Sequence, residues 1–319
     1  MNTTAYIRVM IFVICLSAWT CLPSASAHTS SDLTSIDSVS YRYRFVPKDS
    51  LLYRVVSNDS IAFAGQAPLI KERTEMYLII CDSVGTNGHY YISQQLTKFA
   101  SKESSGDIRD RVRLETTWLG RKIWYEIDSL GNRYSYGADD SVRADIAPGG
   151  AFQPNLLIPI KESRKKIGES WIVETLDDLP ENCIPAPLRK QTSIFRSLPS
   201  LDTLGTWCDQ FQYTLTGQGS VLLQYSNGQM IRANSIIAQF GKMEINSSYQ
   251  VPHHLYATAE VKLTLKLPDG KEMKGQHFIT SNYSLVEMHT QRPAAVVKKT
   301  AAEPATKKKS AVTRTKKKK

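Results

Sequence analysis

Trp207, Cys208, Asp209, Gln210, Phe211, Gln212, Tyr213, Thr214 and Leu215 decide the fold. Apolar residues fall at every second position. Phe211, Tyr213 and Leu215 face one side and Gln210, Gln212 and Thr214 the other, the period of a strand with one buried face. Thr216, Gly217, Gln218 and Gly219 read as a glycine turn, after which Val221, Leu223 and Tyr225 resume the alternation. Asn227 and Gly228 supply the backbone freedom of a tight hairpin, and Met230 to Phe240 opens the returning strand. The stretch predicts an antiparallel meander.

The same pattern extends outward in both directions. Tyr41, Tyr43 and Phe45 alternate with Arg42 and Arg44, predicting a first strand, and Leu51–Ser57 a second. Lys71–Val84 and His89–Phe99 flank the loop Gly85–Gly88. A polar loop is expected over 100–110, then short strands at Val112–Trp118 and Lys122–Asp128. Pro148, Gly149, Gly150 and Pro154 break the pattern. Leu156–Ile160 reopens it, and the charged run Lys161–Lys166 suits one helical turn. Ile172–Glu174, a proline-rich loop over Leu179–Leu188, the meander, the pair around Pro268, Asp269 and Gly270, and a last strand at Leu285–His289 complete the body. Helical periodicity is nearly absent. The expectation is an all-β fold: a large curved sheet or half-barrel, or two sandwich-like lobes. The segments are a signal peptide over 1–27, β regions over 28–146 and 147–291, and a tail over 292–319.

The ends carry their own signals. Arg8, an apolar run from Val9 to Leu22, and Ala25-Ser26-Ala27 read as an export signal cleaved before His28. Of the net charge of +10, the segment Arg292–Lys319 holds eleven basic residues against one acid, and the leader holds Arg8. The body is therefore close to neutral, so its bulk charge does not attract a polyanion. Lys307, Lys308, Lys309, Lys316, Lys317, Lys318 and Lys319 lie in a low-complexity tail, expected to be disordered and to bind anionic envelope surfaces or polymers. No nucleic-acid partner is expected of an exported chain.

Export also directs the reading of the cysteines. Without the leader, Cys81, Cys183 and Cys208 remain. An oxidising compartment favours a Cys183–Cys208 disulfide, whose loop of roughly 25 residues is worth about 3 kcal/mol. Cys81, ending the run Tyr77–Ile80, reads as a buried small hydrophobe. Of the histidines, His253 and His254 adjoin on a strand and so point to opposite faces, and neither a metal nor another cofactor is expected. Nucleophile-elbow, phosphate-loop and zinc-protease motifs are absent from the sequence. Asp139 with Asp140, and Asp177 with Asp178, read as solvated turn acids. Trp118, Trp124, Tyr125, Tyr134 and Tyr136 read as strand-core aromatics, with a stacking surface as the alternative.

Together, the leader, the near-continuous short strands and the Gly168-Glu169-Ser170-Trp171 element resemble uncharacterised exported β-rich proteins of the Gram-negative envelope. That resemblance implies a curved sheet, some examples of which hold a lipid or lipoprotein. Three functions follow. The first is a non-catalytic binding or structural module with an anionic-surface tail. The second is a carrier of an apolar ligand lined by Phe211, Tyr213, Val221 and Leu223, and the third a hydrolase.

Overall fold

The computed structural model describes residues 38–116, 119–138, 152–161, 164–176, 190–224, 230–267 and 269–294. These lie in the compact unit Ile36–Lys319. The strands of its first part are β1 (Ser38–Ser40), β2 (Ser50–Phe63), β3 (Leu69–Val84), β4 (Tyr90–Ser105), β5 (Ile108–Arg113), β6 (Lys122–Ile127) and β7 (Arg133–Ala138). Then come β8 (Arg164–Lys166), β9 (Ser170–Leu176), β10 (Lys190–Thr203), β11 (Thr206–Gln224), β12 (Met230–Asn246), β13 (Val251–Lys266) and β14 (Glu272–His289). No helix occurs among the described residues. Twelve strands form one antiparallel sheet in the order β7-β6-β4-β3-β2-β14-β13-β12-β11-β10-β9, with β5 hung on β4, while β1 pairs with β8. Both expected β regions contribute to this sheet. Its junction is β14 against β2, where Ser281 stands opposite Ser57.

Alternation decides which face is buried. Leu51, Tyr53 and Val55 on β2, Tyr77 and Ile79 on β3, Phe211 and Tyr213 on β11 and Leu255 and Ala257 on β13 all belong to one buried cluster. Inner-face residues from β9 round to β6 share this core, so the open sheet is curved with the core on its concave side. Two chain segments fill the hollow. Tyr41, Tyr43 and Phe45 enter it from the first, and Leu156, Leu157, Ile158 and Ile160 from the second. Burial of these side chains supplies much of the fold's stability, at about 25 cal/mol per Å² of apolar surface.

Several sequence expectations change. Tyr41–Phe45 alternates as expected but is extended chain inside the sheet and not a ladder strand, because Tyr43 N donates to Ser129 O and Arg44 N to Gln250 O, two different turns. Residues 100–110 are not a loop: β4 continues to Ser105 and turns at Gly106 into β5, whose fully exposed pattern hides its strand character. The run Lys161–Lys166 holds β8 where a helical turn was expected, its backbone paired to Ser38–Ser40. Thr216–Gly219 is not a turn, since β11 passes through it with Gly217 opposite Ile237. β10 had no sequence reading because Pro199 interrupts it. The structure absorbs that proline in the register shift between Leu198 and Leu201. The separate last strand at Leu285 is the end of β14 beyond a similar shift.

Candidate functional site

Three turns and the first filling segment meet at one rim of the sheet. Because Tyr41, Tyr43 and Phe45 point inward, Arg42 and Arg44 must point outward, and both are exposed. Beside them lie Asn87–Tyr90 from the β3–β4 turn, Asp128 and Ser129 from the β6–β7 turn, and Gln250 from the β12–β13 turn. Together they line a cavity of about 490 Å³.

The acids around this cavity are already occupied. Asp128 accepts from Leu130 N at 2.8 Å, Asn132 N at 3.0 Å, Asn132 Nδ2 at 2.8 Å and Tyr134 Oη at 3.1 Å. Gly131 makes this turn possible: its φ is +80°, and a Cβ there would lie 2.5 Å from Ile158 O of the second filling segment. His89 Nδ1 stands 2.7 Å from Glu126 Oε1. Its ring stacks on Tyr134 with centroids 4.1 Å apart. The His89 hydrogen bond, foremost, holds the Glu126 carboxyl below the usual carboxylate range. Burial, reinforced by Asp128, raises the Tyr134 phenol.

The cations are not neutralised in the same way. Neither Arg42 nor Arg44 has an acidic partner among the described residues. A third, Arg292, lies close behind, with Nη2 2.8 Å from Asp49 Oδ2 and Nη1 donating to Tyr249 O at 2.9 Å. Its burial, and then the repulsion of Arg44, push the guanidinium pKa down against the pull of Asp49. The cavity thus offers positive charge, the Gln250 amide and backbone dipoles to an anionic oxygen group.

The concave face holds a second polar cluster, closed to solvent. Arg73 Nε lies 2.6 Å from Asp59 Oδ2, and Arg73 Nη1 3.1 Å from Glu75 Oε1. His277 Nε2 lies 2.9 Å from Asp59 Oδ1. Burial raises the Glu75 carboxyl, whereas the hydrogen bonds and charges of His277 and Arg73 outweigh burial and lower Asp59. Gln153 plugs into this layer, accepting from Arg73 Nη2 at 2.8 Å and donating to Ser281 Oγ at 2.9 Å and Ser57 Oγ at 3.1 Å. Tyr283 Oη donates to Pro154 O at 2.7 Å. The cluster fastens the second filling segment to β2, β3 and β14.

The structure separates most of the sequence candidates. His254 pairs opposite Ser284 and Glu244. His253 occupies the register shift and is half-buried, its Nδ1 without a hydrogen-bond partner and its pKa lowered by burial. His277 meets Asp59, and His289 meets Glu287. No group of three metal-ligating residues occurs among the described residues. Phe211 and Tyr213 are packed against Tyr41, Trp171 and Phe195, so they face the filled core and no open hollow. Cys208 is a free, buried thiol, and Cys183, the partner expected for it, lies outside the described residues. So do Asp139, Asp140, Asp177, Asp178, Trp118, the leader and the tail lysines; the side chains of Val221, Leu223 and Tyr136 are likewise undescribed. Tyr125 is core, while Trp124 and Tyr134 are exposed. The sequence reading missed Arg42 and Arg44. Their signal was present: two cations on the polar side of a Tyr-Arg-Tyr-Arg-Phe alternation, with no acid between Asp37 and Asp49.

No protein-family model matches the chain, and no curated relative does. Among solved structures, one of lipovitellin, concerned with lipid–protein interactions, is similar at a TM-score of 0.41 and 11% identity. The match covers 81% of this chain and 27% of that one.

Proposed function

We propose that the chain is an exported, non-catalytic binding module of the bacterial envelope, which takes an anionic oxygen group at Arg42 and Arg44 while its lysine tail engages an anionic surface. One observation carries the reading: the rim cavity keeps two arginines without acidic partners while its own carboxylates are engaged by neighbouring donors. Carboxylate, phosphate and sulfate groups share the chemistry that such arginines recognise. Isothermal titration of the full chain with inorganic phosphate and with galacturonate tests it. Binding of at least one probe, weakened at least roughly tenfold in the Arg42→Gln/Arg44→Gln variant, is expected from the loss of charge-assisted hydrogen bonds. Binding of neither, or equal binding by the variant, overturns it.

A second reading, a carrier of an apolar ligand, draws support from a further apolar cluster. Ile237, Ala259, Val261, Leu263, Leu265 and Ile279 form, with Phe152, a second buried cluster that meets the Tyr41 core at Leu215. A lipid found by mass spectrometry in an organic extract of protein purified from native membranes supports this reading, and a clean extract contradicts it.

A further inference from the structure

The outer face of the sheet mixes polar residues with scattered exposed aliphatic ones such as Val56, Ile194 and Ile236, and carries three exposed aromatic rings near its centre. Phe240 on β12, Tyr256 on β13 and Phe278 on β14 are 41%, 40% and 46% exposed. Pairing fixes their places. Phe240 stands opposite Thr258, one step along β13 from Tyr256, and Phe278 stands opposite Glu260, one step beyond Thr258 on the other side. With strands about 4.8 Å apart and about 6.7 Å between same-face neighbours, Phe240 lies roughly 8 Å from Tyr256 and roughly 12 Å from Phe278. Threonines fill the places between them: Thr214, Thr258 and Thr280 lie in the cross-strand row of Phe240.

Charge on this face is unbalanced even though the body as a whole is near neutral. Glu260 is engaged by Gln276 Nε2 at 2.8 Å and Lys262 at 3.7 Å. Glu244 is engaged by Thr203 Oγ1 at 2.9 Å and Lys242 at 3.6 Å. Arg54 and Arg196, exposed on strands either side of the rings, have no acidic partner among the described residues. Lys262 is exposed despite its contact with Glu260, with 69% of its side chain accessible.

We infer that this outer face binds a linear acidic polysaccharide, its sugar rings resting on Phe240, Tyr256 and Phe278 and its carboxylates meeting Arg54, Arg196 and Lys262. Apolar ring faces bracketed by hydroxyl, amide and cationic groups suit a sugar, which pairs a C–H face with a polar edge. Shape selects between polymer and bilayer. The sheet curves around its core, so this face is convex and would touch a flat membrane along one strip only, whereas a flexible chain follows the curve.

The test is binding of the full chain to polygalacturonate at about 0.5 M salt, where a Debye length of a few Å suppresses the tail's long-range attraction. The variant Phe240→Ser/Tyr256→Ser/Phe278→Ser alters only exposed side chains and keeps every charge, and circular dichroism checks its fold. It should bind roughly tenfold more weakly or worse at this salt. Arg54→Gln/Arg196→Gln, which leaves the rings intact, should lose affinity at about 0.1 M salt and serves alone if the aromatic variant misfolds. The aromatic variant should still bind inorganic phosphate at the rim cavity as the unaltered chain does, which separates this surface from that site. Unchanged binding by both the aromatic and the Arg54/Arg196 variants overturns the inference. So does loss of binding to phosphatidylglycerol vesicles, but not to polygalacturonate, in the aromatic variant.

Discussion

Arg73 Nε and Asp59 Oδ2 lie 2.6 Å apart on the concave face, their side chains 6% and 2% exposed. Arg73 also reaches Glu75 and Gln153, so one guanidinium pairs with two buried carboxylates and holds a filling segment. Arg73→Met leaves Asp59 and Glu75 buried with no cation at this position, which should cost about 3–5 kcal/mol. Gln153→Ala loses hydrogen bonds but strands no ionised group, and should cost about 1–3 kcal/mol. Urea denaturation measures both, and the order of the two losses matters more than their size.

The ring of Tyr213 lies flat across Gly241 of the neighbouring strand, where a Cβ would come within 2.3 Å of it. Tyr213 cannot yield easily, because it is sealed in the core and its hydroxyl accepts from Gln239 Nε2 at 2.6 Å. Gly241→Ala should therefore destabilise by about 1–3 kcal/mol, although alanine is ordinarily the better strand residue. A thermal scan showing no loss contradicts the packing described here.

Burial pushes the Tyr41 phenol from 10.0 up to about 12, against the pull of its Ser197 hydrogen bond. A raised folded-state value means that the native state keeps its proton longer than the unfolded chain. The stability this contributes is complete below pH 10 and is lost as pH rises toward 12. The loss amounts to about 3 kcal/mol at most. Denaturation midpoints at pH 9 and pH 11 should differ less in Tyr41→Phe than in the unaltered chain.

Both described cysteines are buried, and burial chiefly raises each thiol to about 12. They should resist alkylation at pH 8 in the folded protein and react once it is denatured, without any reductant. Recovery of Cys208 unalkylated under those denaturing conditions would restore the disulfide expected from the sequence.

The strands were legible because alternation is a local property: Phe211, Tyr213 and Leu215 announce their face within nine residues. What lies beside what was not legible. The pairing of Ser57 with Ser281 joins residues far apart in sequence, and no short-range pattern specifies it. Leu156–Ile160 shows why the hollow looked empty. An apolar run without period suits a strand or a plug equally well, and only the polar anchors at Gln153 and Pro154 decide for the plug. The rim cavity was equally hidden, since its lining comes from four separate stretches and each arginine alone reads as a solvated strand residue.

Arg292 belongs to the body, through Asp49 and the Tyr249 carbonyl, and not to the tail. A test of the tail must therefore truncate after Ala294. The shortened protein should leave cell envelopes in a low-salt wash, with the full chain released only at high salt. Identical behaviour of the two would make the tail passive.

The most direct measurement of the central claim is a backbone amide NMR titration of the full chain with galacturonate. Shifts concentrated at Arg42–Arg44, Asn87–Tyr90, Ser129 and Gln250, and abolished by Arg42→Gln/Arg44→Gln, are the predicted result. Absence of shifts at these residues, or shifts there that persist in that variant, would contradict an anionic site at this rim.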